Sequence, residues 1–63
     1  MPLFTFYPTR ADGLSATFET RELESDEVAT TFAARVLDRH ESAACVVVYC
    51  GQRKVLERSR EPA

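Results

Sequence analysis

Apolar positions fall into four short runs and one longer periodic stretch. Leu3-Phe4-Thr5-Phe6-Tyr7 is rich in strand-forming residues and is closed by Pro8. The segment from Pro8 to Gly13 carries a proline and the Asp12-Gly13 pair, which predicts a turn. From Leu14 the pattern alternates, with Leu14, Ala16 and Phe18 on one face and Ser15, Thr17 and Glu19 on the other. A period of two over this stretch predicts a half-buried strand that pairs back on the first as a hairpin.

Ser25 suits a helix N-cap, and Asp26 with Glu27 place negative charge in the first turn, where it complements the helix dipole. Val28, Phe32, Val36 and His40 then recur every four residues, flanked by Ala29, Ala33 and Leu37. The polar face holds Thr30, Thr31, Arg35, Asp38 and Arg39, so the spacing predicts an amphipathic helix of about four turns. The run from Ala44 to Cys50 reads as a strand. Gly51-Gln52 fits a two-residue hairpin loop with glycine at its first central position. Arg53 to Ser59 returns as the last strand, and Glu61-Pro62-Ala63 is expected to fray.

The order is ββαββ, an α+β fold in one domain spanning residues 1–63. The first and third strands are apolar on both faces and belong in the centre, whereas the second and fourth are polar on one side and belong at the edges. This predicts a four-stranded antiparallel sheet in the order 2-1-3-4 with one helix packed on one face. Beneath the helix, Phe4, Phe6, Leu14, Ala16, Phe18, Val46, Val48 and Val55 are expected to meet Val28, Phe32, Val36 and Leu37. Leu3, Tyr7, Cys45, Val47, Tyr49 and Leu56 are left on the other face, with no second helix to cover them. An apolar patch of that extent on so small a chain marks an interface, and a twofold homodimer with its sheets face to face is the economical solution.

A chain of 63 residues buries only about 60% of its unfolded surface and gains much from self-association. The formal net charge is -2, which argues against generic affinity for nucleic acid. The charge is unevenly placed: Glu19, Glu22, Glu24, Asp26 and Glu27 gather in the middle, and Arg53, Lys54, Arg58 and Arg60 near the end. Two cysteines and one histidine are too few, and too scattered, for a zinc site, and no metal or cofactor is expected. No apolar stretch approaches the roughly 20 residues needed to span a membrane. With no apolar signal segment after Met1 and no disulfide framework, a reducing cytoplasm is the expected compartment.

Cys45 and Cys50 bracket the most apolar run of the chain. Five residues apart in an extended strand, their side chains point to opposite faces with α-carbons roughly 16 Å apart, whereas a disulfide needs about 4.4 to 6.8 Å. Oxidation to a disulfide is therefore expected to join two chains. Cys45 would lie in or near the dimer interface. Cys50 would sit at the hairpin end on the helix side, where Arg53 and Lys54 favour a thiolate and make it the more reactive candidate.

His40 has no acidic or nucleophilic partner placed beside it by spacing, the serines lack a nucleophile signature, and neither glycine sits in a phosphate-cradling loop. No enzyme is expected. Tyr7 and Tyr49 on a sheet face would suit stacking of single-stranded nucleic acid, with the basic C-terminal hairpin beside them, and this is the alternative reading.

The opening Met-Pro-x-Phe-x-Phe, the Asp12-Gly13 turn, the acidic stretch before an alanine-rich helix and the strand-Gly-Gln-strand hairpin resemble small bacterial ββαββ domains of unknown function. The resemblance spans nearly the whole chain, which departs from those domains in its Cys-Val-Val-Val-Tyr-Cys strand. In size and cysteine use the chain also resembles the NstA-like redox-controlled inhibitors of bacterial topoisomerase IV, which act on its ParC subunit. That likeness implies a regulatory protein with ParC as its partner and with Cys45 and Cys50 as a redox pair forming bonds between chains.

Overall fold

Pro8 does not stop the first strand. In the computed structural model, which describes residues 1–15 and 17–60, β1 runs Leu3–Arg10, followed by β2 (Glu19–Glu22), α1 (Asp26–Arg39), β3 (Ala43–Cys50) and β4 (Arg53–Ser59). Pairing with β2 ends at Phe6, so Pro8 lies where β1 has a ladder partner only in β3, opposite Val46. A missing N–H is tolerated at such an edge position. The turn shrinks to the Asp12-Gly13 end of the expected segment. There the Gly13 N–H donates to the Arg10 carbonyl at 2.9 Å, the Asp12 carboxylate accepts from the Leu14 N–H at 3.0 Å, and Gly13 adopts a φ of +87° that few other residues tolerate.

The sheet order is β2-β1-β3-β4, with all neighbours antiparallel. The protein is thus an α+β domain with an open four-stranded sheet. β2 and β3 both run against β1 and so run parallel to each other, and a crossover connection must join them. α1 supplies it and lies across one face of the sheet. Ser25 caps the helix as expected, its hydroxyl accepting from the Val28 N–H at 3.3 Å.

The core is Phe4, Phe6, Ala29, Ala33, Val36, Leu37, Ala43, Val46 and Val48. Five of the expected members that the structure describes differ. Phe32 and Val55 pack against the core only half-buried, and Val28 is 40% exposed. The buried stripe of the helix is centred on Ala29 and Ala33, whose small side chains let the backbone approach the sheet while Phe4 and Phe6 fill the space from below. Leu14 and Phe18 are 58% and 60% exposed, because the second strand is the short segment Glu19–Glu22 rather than the alternating run before it. Glu19 lies opposite Phe6 on the helix side, one residue out of phase with the expected inward set, and that slip carries Phe18 to the opposite face. Ala16, also expected inside, and the terminal 61–63 expected to fray lie outside the described residues.

β4 holds the helix at both ends. A strand of seven residues spans about 23 Å and a helix of 14 about 20 Å, so the two ends can be tied to each other. Arg53 bonds both carboxylate oxygens of Asp26 in the first helical turn, each at 3.3 Å. Just past the strand, the Arg60 guanidinium donates to the carbonyls of Leu37 at 2.6 Å, His40 at 3.0 Å and Ala43 at 3.1 Å. It satisfies acceptors that the helix C-terminus leaves open and places a cation at the negative end of the dipole.

Candidate functional site

Strand alternation divides the sheet into a helix-covered face and an open one. The register arranges the open face in rows: Thr20, Thr5, Tyr49 and Lys54; then Tyr7, Val47 and Glu57; then Thr9, Cys45 and Ser59. Leu3, 52% exposed, closes one end beside Glu22. The Tyr7 and Tyr49 rings meet edge to face at a centroid separation of 5.9 Å, an arrangement that aromatic quadrupoles favour. Phe18 extends the cluster, its ring centroid 6.0 Å from that of Tyr7. The patch therefore has an aromatic and aliphatic centre, with Glu22, Lys54 and Glu57 at its rim. A groove of about 590 Å³ runs over it, lined by Tyr7, Thr9, Ser15, Val47, Tyr49, Gly51 and Gln52.

Five of the six residues expected on this face are there: Leu3, Tyr7, Cys45, Val47 and Tyr49. Leu56 is not. It pairs with Val48, whose side chain is fully buried beneath the helix, and it packs against the core together with Val55. The cause is a bulge. The register passes from Val48 opposite Leu56 to Tyr49 opposite Lys54, so Val55 is the extra residue and two consecutive apolar side chains of β4 reach the core. Phe18 joins the patch at the opposite edge, beside Tyr7 on the β2 side, and its alternation with Glu19 is the signal that would have found it.

The two thiols are free and on opposite faces of β3. Cys45 stands on the open face between Thr9 and Ser59. Cys50 is on the helix side, half-buried and packed against the core, opposite Arg53. The Arg53 guanidinium is raised in pKa mainly by its hydrogen bonds and charge attraction to Asp26, with Cys50 a lesser contributor, so this cation is largely committed to the carboxylate.

Most of the basic hairpin is committed internally. Lys54 bonds Glu57 at 3.0 Å, which raises its pKa, and Arg53 and Arg60 are tied to the helix. Arg58 lies opposite the buried Val46, on the helix side of the sheet, so among the described residues no free basic groove runs beside Tyr7 and Tyr49 such as a nucleic-acid platform uses to track a backbone.

His40 does have an acidic partner. Glu19, 21 residues away in sequence, accepts from Arg39 at 2.8 Å through one oxygen and meets His40 Nε2 at 3.0 Å through the other, pinning β2 to the C-terminus of the helix. Burial pushes the Glu19 carboxyl up, but the hydrogen bond to His40 and the charge of Arg39 outweigh it and hold the carboxyl below its ordinary value of 4.5. A depressed carboxylate contributes stability that is present above the unfolded value and lost as pH falls through the folded one. With Arg39 half exposed, the contribution is up to roughly 1 kcal/mol. In urea denaturation, Glu19→Gln is expected to be less stable than the parent chain at pH 7, and the difference is expected to shrink by pH 3. An equal difference at both pH values would show that the charge of Glu19 contributes nothing.

Among the described residues no group of three or more His, Cys, Asp or Glu side chains is placed to hold a metal ion, and no helix is long and apolar enough to cross a membrane. Comparisons of the chain with protein-family models, with curated proteins and with solved structures found no match.

Proposed function

We propose that this is a small non-enzymatic regulatory protein of the cytoplasm that homodimerises through the open face of its sheet and binds a protein partner, with its thiols tuning the assembly. The observation that carries this reading is the patch of Leu3, Tyr7, Phe18, Cys45, Val47 and Tyr49 on a face that no element among the described residues covers. The molecule measures 33 × 21 × 16 Å, and a chain this small gains much from burying an apolar face against a second copy. The edges of the sheet are guarded by the devices that discourage edge pairing: β2 is four residues long, and β4 is bulged and charged. Association is thereby directed to the face. Light scattering of the reduced protein at micromolar concentration is expected to give twice the 7.1 kDa chain mass, and a species of 7.1 kDa alone would refute the dimer.

Cys45 is the thiol on the shared face and Cys50 is turned away from it, so Cys45 is the residue that links chains. Diamide oxidation takes two electrons and two protons from a pair of Cys45 thiols, one from each chain, to form the bond. The covalent dimer is expected on a non-reducing gel from the parent chain and from Cys50→Ser, and it is expected to vanish in Cys45→Ser. A monomeric product with an internal Cys45 to Cys50 bridge would overturn both the extended strand and the link between chains. The resemblance to topoisomerase IV inhibitors makes ParC the first partner to assay, by pull-down with reduced and oxidised protein.

A further inference from the structure

On the helix side, away from the dimer face, two arginines from two elements lie over one aromatic ring, and a third arginine lines the depression beside it. The guanidinium carbons of Arg21 and Arg39 lie 5.4 and 5.7 Å from the centroid of Phe32, within the range of cation–π attraction. Arg35, on the next turn of the helix, lines with Val28, Thr31 and Phe32 a depression of about 220 Å³. Beneath it the Phe6 ring supports Phe32 at a centroid separation of 5.0 Å. The arrangement is a small apolar seat with a cationic rim.

From this we infer that the seat formed by Val28, Thr31, Phe32 and Arg35, rimmed by Arg21 and Arg39, is the docking site for an acidic peptide segment carrying an apolar anchor residue. The inference rests on the reading that this protein binds a protein partner, and it names that partner's chemistry.

Charge complementarity selects the occupant. Among the described residues Glu19 is the one carboxylate in an ion pair with these arginines, at 2.8 Å from Arg39 and 4.0 Å from Arg21, and it leaves an excess of positive charge there in a chain that is net negative. Arg21 is further fixed by a hydrogen bond from its guanidinium to the Thr20 carbonyl at 3.0 Å. Both rim side chains are thus held in place before a partner arrives, which lowers the entropy lost on binding. Each guanidinium has five donors, so after these contacts several remain to meet carboxylates. The centre of the seat is Phe32 with Val28, which is 40% exposed. An anchor side chain that enters a pocket and excludes water from it is how interfaces concentrate their binding energy. A nucleic-acid backbone would use the rim and leave the apolar centre unfilled.

The test uses a fluorescein-labelled peptide with a Leu-Phe pair flanked on each side by three glutamates, and fluorescence anisotropy as the readout. Binding is expected with a dissociation constant below about 1 mM. A peptide with glycines in place of the Leu-Phe pair is expected to bind at least about tenfold more weakly. Arg35→Glu is expected to cause at least the same loss, because it reverses the charge at the mouth of the seat. Arg35 is exposed and makes no side-chain hydrogen bond or ion pair among the described residues, so the variant keeps its fold by circular dichroism. Val28→Asp, at a second exposed position, is expected to act the same way. Undiminished binding by both variants, equal binding of the anchorless peptide, or displacement of the peptide by oligo-dT at equal concentration would overturn the proposal. Light scattering on the same samples separates it from the dimer: loss of peptide binding with the dimer intact removes this site alone, and a peptide-binding monomer removes the face-to-face dimer alone.

Discussion

Val48→Lys is expected to abolish cooperative folding. Val48 is fully buried in the second central strand, between Phe6 on β1 and Leu56 on β4 and beneath the helix. Every described side chain of the core is apolar, so a lysine ammonium there would find no carboxylate. Removing a charge from water without a partner costs at least several kcal/mol. A domain of this length has a total stability of about 3 to 9 kcal/mol, so the penalty is comparable to everything that holds it together. Circular dichroism should show no sigmoidal thermal transition for this variant at any temperature at which the parent chain is folded. A cooperative transition near that of the parent would mean that Val48 does not face the helix, and the division of the sheet into two faces would fall with it.

That division was legible because two periodicities in the chain agree. Alternation in β3 places Val46 and Val48 on one side and Cys45, Val47 and Tyr49 on the other, and the Ser25 cap followed by a stripe at helical spacing supplies one cover for one side. Strand order followed from the same source, since only the first and third strands are apolar on both faces. The register of the edge strands was not legible. Leu14, Ala16 and Phe18 alternate as cleanly as any strand in the chain, yet the segment that pairs with β1 is Glu19–Glu22, which carries no apolar residue at all. Its helix-side positions are Glu19 and Arg21, and Glu19 fits there because Arg39 and His40 wait at the end of the helix. A contact over 20 residues of sequence decides the phase, and no local pattern reports it. The bulge at Val55 is invisible for a similar reason: one extra residue in a run such as Arg53-Lys54-Val55-Leu56 leaves no mark in composition and reverses the side on which Leu56 falls.

For the candidate site, the open-face patch was legible except for the exchange of Leu56 for Phe18, and the opposite orientation of the two cysteines followed from their spacing. The basic C-terminal end shows the limit of reading charge by composition. Arg53, Lys54, Arg58 and Arg60 cluster in sequence, yet Arg53 and Arg60 fasten the ends of the helix, Lys54 pairs within its own strand, and Arg58 lies opposite Val46 on the helix side, away from the tyrosines. The cationic seat around Phe32 was hidden by the reverse effect. Arg21, Arg35 and Arg39 are scattered over 19 positions, and only the packing of β2 against the end of the helix brings Arg21 to the Phe32 ring that Arg39 also covers, with Arg35 lining the depression beside it.

Val47→Lys, one residue from the first substitution, is expected to leave the fold intact and break the dimer. Val47 lies on the open face between Tyr7 and Glu57, half-buried in the single chain. A lysine there can run its alkyl stem over Tyr7 and keep its ammonium in water, so the monomer accommodates the charge. In the face-to-face dimer the same position is at the centre of the patch, where the ammonium is cut off from water by the second sheet. Burying an uncompensated charge in an interface costs about 3 to 5 kcal/mol, which weakens association by roughly a hundredfold to several thousandfold. At micromolar concentration the variant should therefore scatter as a 7.1 kDa chain with an unchanged circular dichroism spectrum, while the parent scatters at twice that mass. A folded dimer carrying Lys at position 47 would show that the chains associate through some other surface. An unfolded variant would show instead that Val47 belongs to the core of the single chain. The contrast between adjacent positions is the sharpest available test, because Val47 and Val48 are the same residue type in the same strand and differ only in the face they present.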